Sequence, residues 1–332
     1  MVISQTPYRI SFFGGGTDYP TWYRENGGAT LSTTIDKYCY ISCRYLPPFF
    51  EHKHRIVYSL SEEVNEIDEI MHPAAREAFR FMNVERGVEV HHDGDLPARA
   101  GLASSSAFTV GMLHALYALS GRMVTKKQLA NDAIHVEQEL IKENVGSQDQ
   151  VAAAFGGFNH IEYSHDGSIR VTPIIVDKGR LDDLQNHIML YFTGFSRLAS
   201  NIAEEQIRKI PSLGKELSSI QEMVNTAISI LGDEYKSIDE FGKLLHESWL
   251  LKRGLTSRIT NDVIDDIYRA ARRAGALGGK LLGAGGGGFM IFFAKPEIQP
   301  AIRRELDSLL HVPFQFEASG SQIVFYQSEP AL

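Results

Sequence analysis

Glycines gather at three points of this 332-residue chain, each beside a segment with a clear secondary-structure signal. Glycine has no Cβ, so it lets the backbone approach a ligand or another backbone closely and supplies left-handed turns. In the first segment the β-favouring run 7–13 leads into Gly14, Gly15 and Gly16, then Thr17 and Asp18. Two readings are open: a loop against a ligand, with Asp18 accepting hydrogen bonds from substrate hydroxyls, or a tight turn with a turn-favouring Asp. In the second, Pro97-Ala98-Arg99-Ala100-Gly101-Leu102-Ala103 runs into Ser104, Ser105 and Ser106 at an expected helix start. Free N–H groups and partial positive charge make a helix start an anion site, and serine hydroxyls there can ligate Mg²⁺ as in a P-loop. A plain serine cap is the alternative, although three serines exceed what capping needs. No Walker A pattern is present. The third segment, Gly283-Ala284-Gly285-Gly286-Gly287-Gly288, matches the dinucleotide fingerprint in letters only. That fingerprint must open a helix, whereas residues 289–293 read as a strand. This loop is expected to lie against a ligand or the other lobe.

Around these segments the periodicity is legible. Phe108, Met112, Leu116 and Leu119 recur at helical spacing from Ser104, with Gly121 as a stop. Thr125 and Gln128 form a capping-box pattern ahead of one apolar face, Leu129, Ala133, Val136 and Leu140. A short helix is expected from Ser147 to Phe155, ending at Gly156-Gly157. Strands are expected at 39–45, 55–58, 88–91, 169–176, 188–193 and 322–326, and helices through 200–274 and 297–310. Strands first, then helices, with hairpin-like segments, predict an α+β fold rather than a doubly wound parallel sheet. Two lobes are expected, residues 1–180 and 181–332.

Charge excludes one class of partner. With 33 Lys+Arg against 41 Asp+Glu, a formal −8, the chain lacks the basic footprint of nucleic-acid binding. An anionic ligand must then be held by a few placed cations and backbone N–H groups. Cys39 and Cys43 are too few for a disulfide framework or a four-ligand zinc site and are expected as buried thiols of a reducing cytoplasm. His91-His92-Asp93 is not read as a metal site, because adjacent strand residues point to opposite faces. No signal-peptide pattern and no run of 18 apolar residues occurs, so a soluble cytoplasmic protein with no membrane partner is expected. The oligomeric state is left open, a homodimer included.

Taken together, Pro7-Tyr8-Arg9 with Gly14–Asp18, Pro97–Ser106 and the glycine-rich loop 283–288 resemble the three motifs of the GHMP kinases in order and position, over nearly the whole chain. One departure is Ala103, where the family usually has Gly; it is expected to crowd the phosphate loop only slightly. Phe13–Pro20, Gly146–Asn159, Phe192–Ser200 and Gly278–Phe289 are most similar to the bacterial D-glycero-D-manno-heptose 7-phosphate kinases, and fucokinase domains share parts of this set.

The resemblance implies a two-lobed α+β fold, with an N-terminal mixed-sheet lobe, a C-terminal ferredoxin-like lobe and the active site in the cleft between them. It implies ATP and Mg²⁺ as cofactors and phosphoryl transfer to the anomeric hydroxyl of a sugar phosphate. Asp149 matches the family's base and Arg9 its cation, with the start of a helix and Arg9 holding Asp149 ionised. Pro97, Arg99, Ala100, Gly101, Leu102, Ala103, Ser104, Ser105 and Ser106 match the ATP phosphate loop. Ser105 and Glu137 match the Mg²⁺ ligands; Glu139 and Glu143 compete with Glu137 for that role. Gly14, Gly15, Gly16, Thr17 and Asp18, with Gly285 and Gly286, are expected on the sugar side. Galactokinases carry Glu-His at the positions of Gly15-Gly16, and their absence leaves space for a larger sugar. Arg197, on a Gly-hinged loop after a strand, is the first candidate for the substrate's own phosphate. Lys252, Arg253 and Lys280 are weaker ones, each with a solvated surface charge as its alternative. A non-catalytic sensor on the same fold is disfavoured, because it need not keep both Asp149 and Glu137.

Overall fold

A computed structural model describes residues 1–98, 100–194 and 199–328. In chain order the first part holds β1 (Val2–Phe13), α1 (Pro20–Asn26), β2 (Gly28–Tyr45), β3 (His54–Val57), β4 (Ser61–Val64), α2 (Pro73–Phe81), β5 (Val88–Gly94), α3 (Ser104–Leu119), α4 (Lys126–His135), α5 (Gln148–Phe155), β6 (Phe158–Tyr163) and β7 (Ile169–Pro173). The second holds α6 (Lys178–Asn186), β8 (Ile188–Phe192), α7 (Ala199–Lys209), α8 (Gly214–Gly232), α9 (Asp239–Leu255), α10 (Asp262–Arg273), β9 (Gly278–Leu281), β10 (Phe289–Phe293), α11 (Gln299–Glu305), β11 (Leu310–His311), β12 (Phe316–Glu317) and β13 (Gln322–Tyr326).

The spine of the large mixed sheet is β2, an 18-residue strand rich in Thr, Ile and Tyr. Its first half pairs with β6 (Gly28 opposite Tyr163) and its second with β5 (Cys39 opposite Gly94), while β1 runs antiparallel along both. β3 joins β5 in parallel. β12 and β13 return from the far end of the chain to pair with β2 and β1. α3 packs across β1 and β2, and Phe108, Met112 and Leu116 are buried. Close approach there depends on Gly111, whose absent Cβ would lie 2.9 Å from Thr6 Oγ1. The smaller sheet has the order β11-β8-β10-β9, antiparallel throughout, with helices between β8 and β9 and between β10 and β11. This is the ferredoxin-like β-α-β-β-α-β plan. The α+β class and the two sheets match the expectation.

Two elements differ from it. The helix expected over 297–310 stops at Glu305, because Leu310 and His311 pair with Phe192 and Tyr191 as an edge strand. The apolar face of α4 does not continue to Leu140: residues Val136–Leu140 form a π-turn, with Ile141 N–H bonding Val136 C=O, and Leu140 is 37% exposed. Cys39 and Cys43 are free and buried, and burial pushes the Cys43 thiol up to about 12. No helix among the described residues is long and apolar enough to cross a membrane.

Candidate active site

The end of β1, the start of α3, the start of α5 and the loop between β9 and β10 meet around one cleft. On its floor Arg9 is 3% exposed. Its Nε and Nη2 both donate to Asp149 Oδ1, at 2.9 and 2.7 Å, and its Nη1 donates to the Gly101 carbonyl at 2.8 Å. Arg9 therefore ties the carboxylate of α5 to the loop before α3. Asp149 lies in the first turn of α5, its side chain 25% exposed to the cleft.

The serine cluster does not cap α3. The N-cap is Ala103, which makes no side-chain cap, and a helix start of this kind offers N–H groups suited to an anion. Ser104 and Ser105 line the cleft. Ala103 adopts φ 64°, ψ 33°. The departure from the family's Gly is thus a matter of backbone strain rather than crowding, since a left-handed non-glycine residue costs about 1–2 kcal/mol. Ala103→Gly should raise unfolding stability by about 0.5–1 kcal/mol after glycine's larger unfolded entropy is counted. A urea midpoint unchanged or lower would contradict this.

Glu137 sits behind that helix start. It is 1% exposed and accepts from Ser106 Oγ at 2.9 Å and from Gln150 Nε2. It owes its inward aim to the π-turn, a distortion frequent at functional sites. Its Oε1 is buried without a partner, and burial pushes the acid up to about 7 against those hydrogen bonds. A buried carboxylate oxygen lacking a partner, beside cleft-lining Ser105, fits a divalent cation: Glu137 and Ser105 would hold Mg²⁺. Glu139 is less suited, being exposed and outside the cleft lining, whereas Glu143 lines the cleft.

On the opposite wall Asp18 is 2% exposed. Its Oδ1 accepts from Gly16 N–H at 2.9 Å and its Oδ2 from Gln148 N–H at 3.4 Å. Burial raises its pKa, with the Gly16 bond opposing. Gly146 has no room for a Cβ beside this carboxylate. Ser11 donates to Gln148 Oε1 at 2.7 Å.

The expected residues divide. Arg9, Gly15, Gly16, Asp18, Gly101, Ala103, Ser104, Ser105 and Asp149 line the cleft. Gly14 and Thr17 build the turn beneath it, Thr17 Oγ1 donating to Gly14 C=O at 2.8 Å and to Ala29 C=O at 2.9 Å. Pro97 is exposed, while Ala100 and Leu102 are buried and act through their carbonyls, to Phe289 N–H and Arg9 N–H. Ser106 faces Glu137 instead of the cleft. Gly285 and Gly286 pack on Ile259, while Gly283 and Ala284 of the same loop line the cleft. The loop turns β9 into β10 and opens no helix. Lys252 and Lys280 are not solvated surface charges but line the cleft; Arg253 instead pairs with Asp265 at 3.2 Å. Arg99 and Arg197 lie outside the described residues. Ser11, Tyr19, Gln148 and Gln206 also line the cleft. Tyr19 and Gln148 lie in the stretches Phe13–Pro20 and Gly146–Asn159 without having been singled out, while no signal in the sequence pointed to Ser11 or Gln206.

Comparison with known proteins agrees with this geometry. Residues 69–157 match the GHMP kinases N terminal domain and residues 205–311 the GHMP kinases C terminal domain. The chain is 28% identical over 323 residues to the D-glycero-alpha-D-manno-heptose 7-phosphate kinase of Campylobacter jejuni, covering 91% of this chain and 93% of that one. It is 24% identical over 319 residues to the bifunctional fucokinase/GDP-fucose pyrophosphorylase of Arabidopsis thaliana, covering 88% of this chain but 30% of that protein. A crystal structure of a D-glycero-D-manno-heptose 1-phosphate kinase from Bacteroides thetaiotaomicron superposes with a TM-score of 0.80 at 23% identity, over 99% of this chain and 100% of the other.

Proposed function

We propose that this chain, which belongs to the GHMP kinases and is an ATP-dependent sugar kinase, transfers the γ-phosphoryl group of ATP to the anomeric hydroxyl of D-glycero-D-manno-heptose 7-phosphate. The product would be the 1,7-bisphosphate, an intermediate for nucleotide-heptose and surface polysaccharide synthesis in the cytoplasm. The observation that carries the reading is the Arg9–Asp149 pair, bonded to the loop that opens α3. It sets a carboxylate beside a helix start suited to phosphate, in a cleft that also holds Asp18. Phosphoryl transfer needs little more than positioned phosphates, a metal and an oriented hydroxyl. In this reading the N–H groups at Ser104 and Ser105 hold the ATP phosphates. Asp18, Gly15 and Gly16 hold the sugar hydroxyls. Asp149 orients the attacking hydroxyl and takes its proton. A Mg²⁺ held by Ser105 and Glu137 would draw charge off the β- and γ-phosphates. In this reading the lobes are residues 1–180 and 181–332, a boundary that falls within α6, and β12 and β13 pair with the first lobe's sheet.

A coupled ADP-release assay over heptose 7-phosphate, heptose 1-phosphate, free heptose, fucose and galactose tests the substrate. Heptose 7-phosphate is expected to turn over far better than the rest. Equal rates on the free sugar and its phosphate, or preference for the 1-phosphate, would overturn the choice of acceptor.

The metal assignment carries its own pH dependence. Glu137 has a raised folded-state pKa, so the stability contributed by its protonated form is present below the ordinary carboxylate range and is lost as pH rises through about 7. Glu137→Gln should flatten that limb in metal-free protein and match or exceed wild-type stability at alkaline pH. It should also raise the Mg²⁺ concentration for half-maximal rate by at least ~10-fold. Urea titrations at several pH values and a Mg²⁺ titration read both; an unchanged Mg²⁺ requirement would remove Glu137 from the metal site.

A further inference from the structure

Arg9 is committed before any substrate arrives. Its Nε and Nη2 serve Asp149 and its Nη1 serves Gly101 C=O. Lys252 is built differently. It reaches the same cleft from α9 in the second lobe. Its Nζ donates to two neutral carbonyls, Leu281 at 3.1 Å and Gly283 at 2.6 Å, and no carboxylate pairs with it among the described residues. An ammonium offers three donors, and among the described residues two are taken, which leaves one for the cleft. Taking a cation out of water without a counter-charge is costly, and an anionic ligand is what would complete it. The carbonyls also give it an address. Gly283 lies against the phosphate loop: a Cβ on it would be 2.5 Å from Gly101 Cα. Lys252 is therefore anchored next to the loop to which Arg9 binds, in the cleft that Asp149 also lines.

We propose that Lys252 is a further catalytic residue, a cation from the second lobe that contacts the phosphoryl group as it passes from ATP to the sugar, aimed there by its bonds to Leu281 and Gly283. The inference rests on the kinase reading above. It assigns the two cations separate tasks, Arg9 to the base and Lys252 to the transferring group. The charged groups facing Lys252 are Arg9 from β1, Lys280 from β9, Asp18 from the loop after β1 and Asp149 from α5. Burial, then Arg9, brings Lys252 down to about 7, with Asp18 and Asp149 opposing. Free enzyme thus loses this charge as pH rises through about 7.

Lys252→Met and Lys252→Arg, assayed beside wild type over a range of ATP and sugar phosphate concentrations across neutral pH, test the assignment. Lys252→Met should lower kcat by about 10²–10³-fold, the loss seen when one preorganised transition-state donor is removed. Both KM values should move little, and Lys252→Arg should recover part of kcat. The alkaline fall in kcat/KM near pH 7 should vanish in Lys252→Met, whose melting temperature should not drop. A kcat within threefold of wild type would overturn the proposal. So would a rise confined to the KM of the sugar phosphate, which would make Lys252 a reader of the acceptor. Loss of thermal stability with no rescue by Arg would make it only an anchor of the glycine loop, and would also overturn it. Wild-type enzyme that phosphorylates no sugar would instead bring down the kinase reading and this inference with it.

Discussion

Asp149→Asn lowers kcat by roughly 10²–10⁴-fold, the range for loss of a general base, while the KM for ATP stays close to wild type. The substitution keeps shape and removes the negative charge that takes the hydroxyl proton. In the proposed reading ATP affinity is spared, since the phosphates would sit at the start of α3, to which Asp149 is tied through Arg9 and Gly101. Arg9→Met should also lower kcat, since the guanidinium fixes the carboxylate with two bonds to Oδ1. The double variant should lose less than the product of the single losses, as residues acting as a unit do. Near-normal turnover of Asp149→Asn would mean that positioning and Mg²⁺ suffice, with no base.

Gly101→Ala should be the most damaging single methyl group in the cleft. Gly101 has φ +87°, and a Cβ there would lie 2.5 Å from the Leu282 carbonyl oxygen. The left-handed conformation alone costs about 1–2 kcal/mol, and the obstacle is backbone, which no rotamer change relieves. The phosphate loop must separate from the glycine loop, and the Arg9 contact to the Gly101 carbonyl goes with it. kcat/KM for ATP should fall by at least ~100-fold, about 2.7 kcal/mol of transition-state binding, with a lower melting temperature. Isothermal titration with a non-hydrolysable ATP analogue separates binding from chemistry. Wild-type affinity in that titration would show that the two glycine loops need not touch.

Much of this was readable from the residues. The spacing of Phe108, Met112 and Leu116 reports one helix because all three are buried along α3. The strand after Gly288 rejected a dinucleotide loop because β10 must pair with β8 and β9. What was not readable depended on position in three dimensions. A Glu on a helix is solvated by default, and nothing in its neighbours announced that a π-turn would rotate Glu137 inward onto Ser106. Lys252 and Lys280 look like surface charges until α9 and β9 are folded against β1, where the Lys280 ammonium donates to Phe12 C=O at 2.7 Å. Ala103 reads as a mild size change, because residue type carries no record of a positive φ. Leu310 and His311 carry helical neighbours, and only the open edge of β8 makes them a strand.

The pairing of β13 with β1 has a consequence for how the protein is made. Val2 lies opposite Tyr326 in the register, so the sheet that carries Arg9 acquires its outer strand only after the chain up to Tyr326 has left the ribosome. Contacts of such sequence separation slow the search for the native state, because loop closure precedes their reward. During synthesis β1 presents an unpaired edge, the kind of surface that recruits other strands. A nascent chain halted before β12 would be expected to hold the serine helix and the base in place only loosely, and to depend on chaperone binding more than the finished chain does.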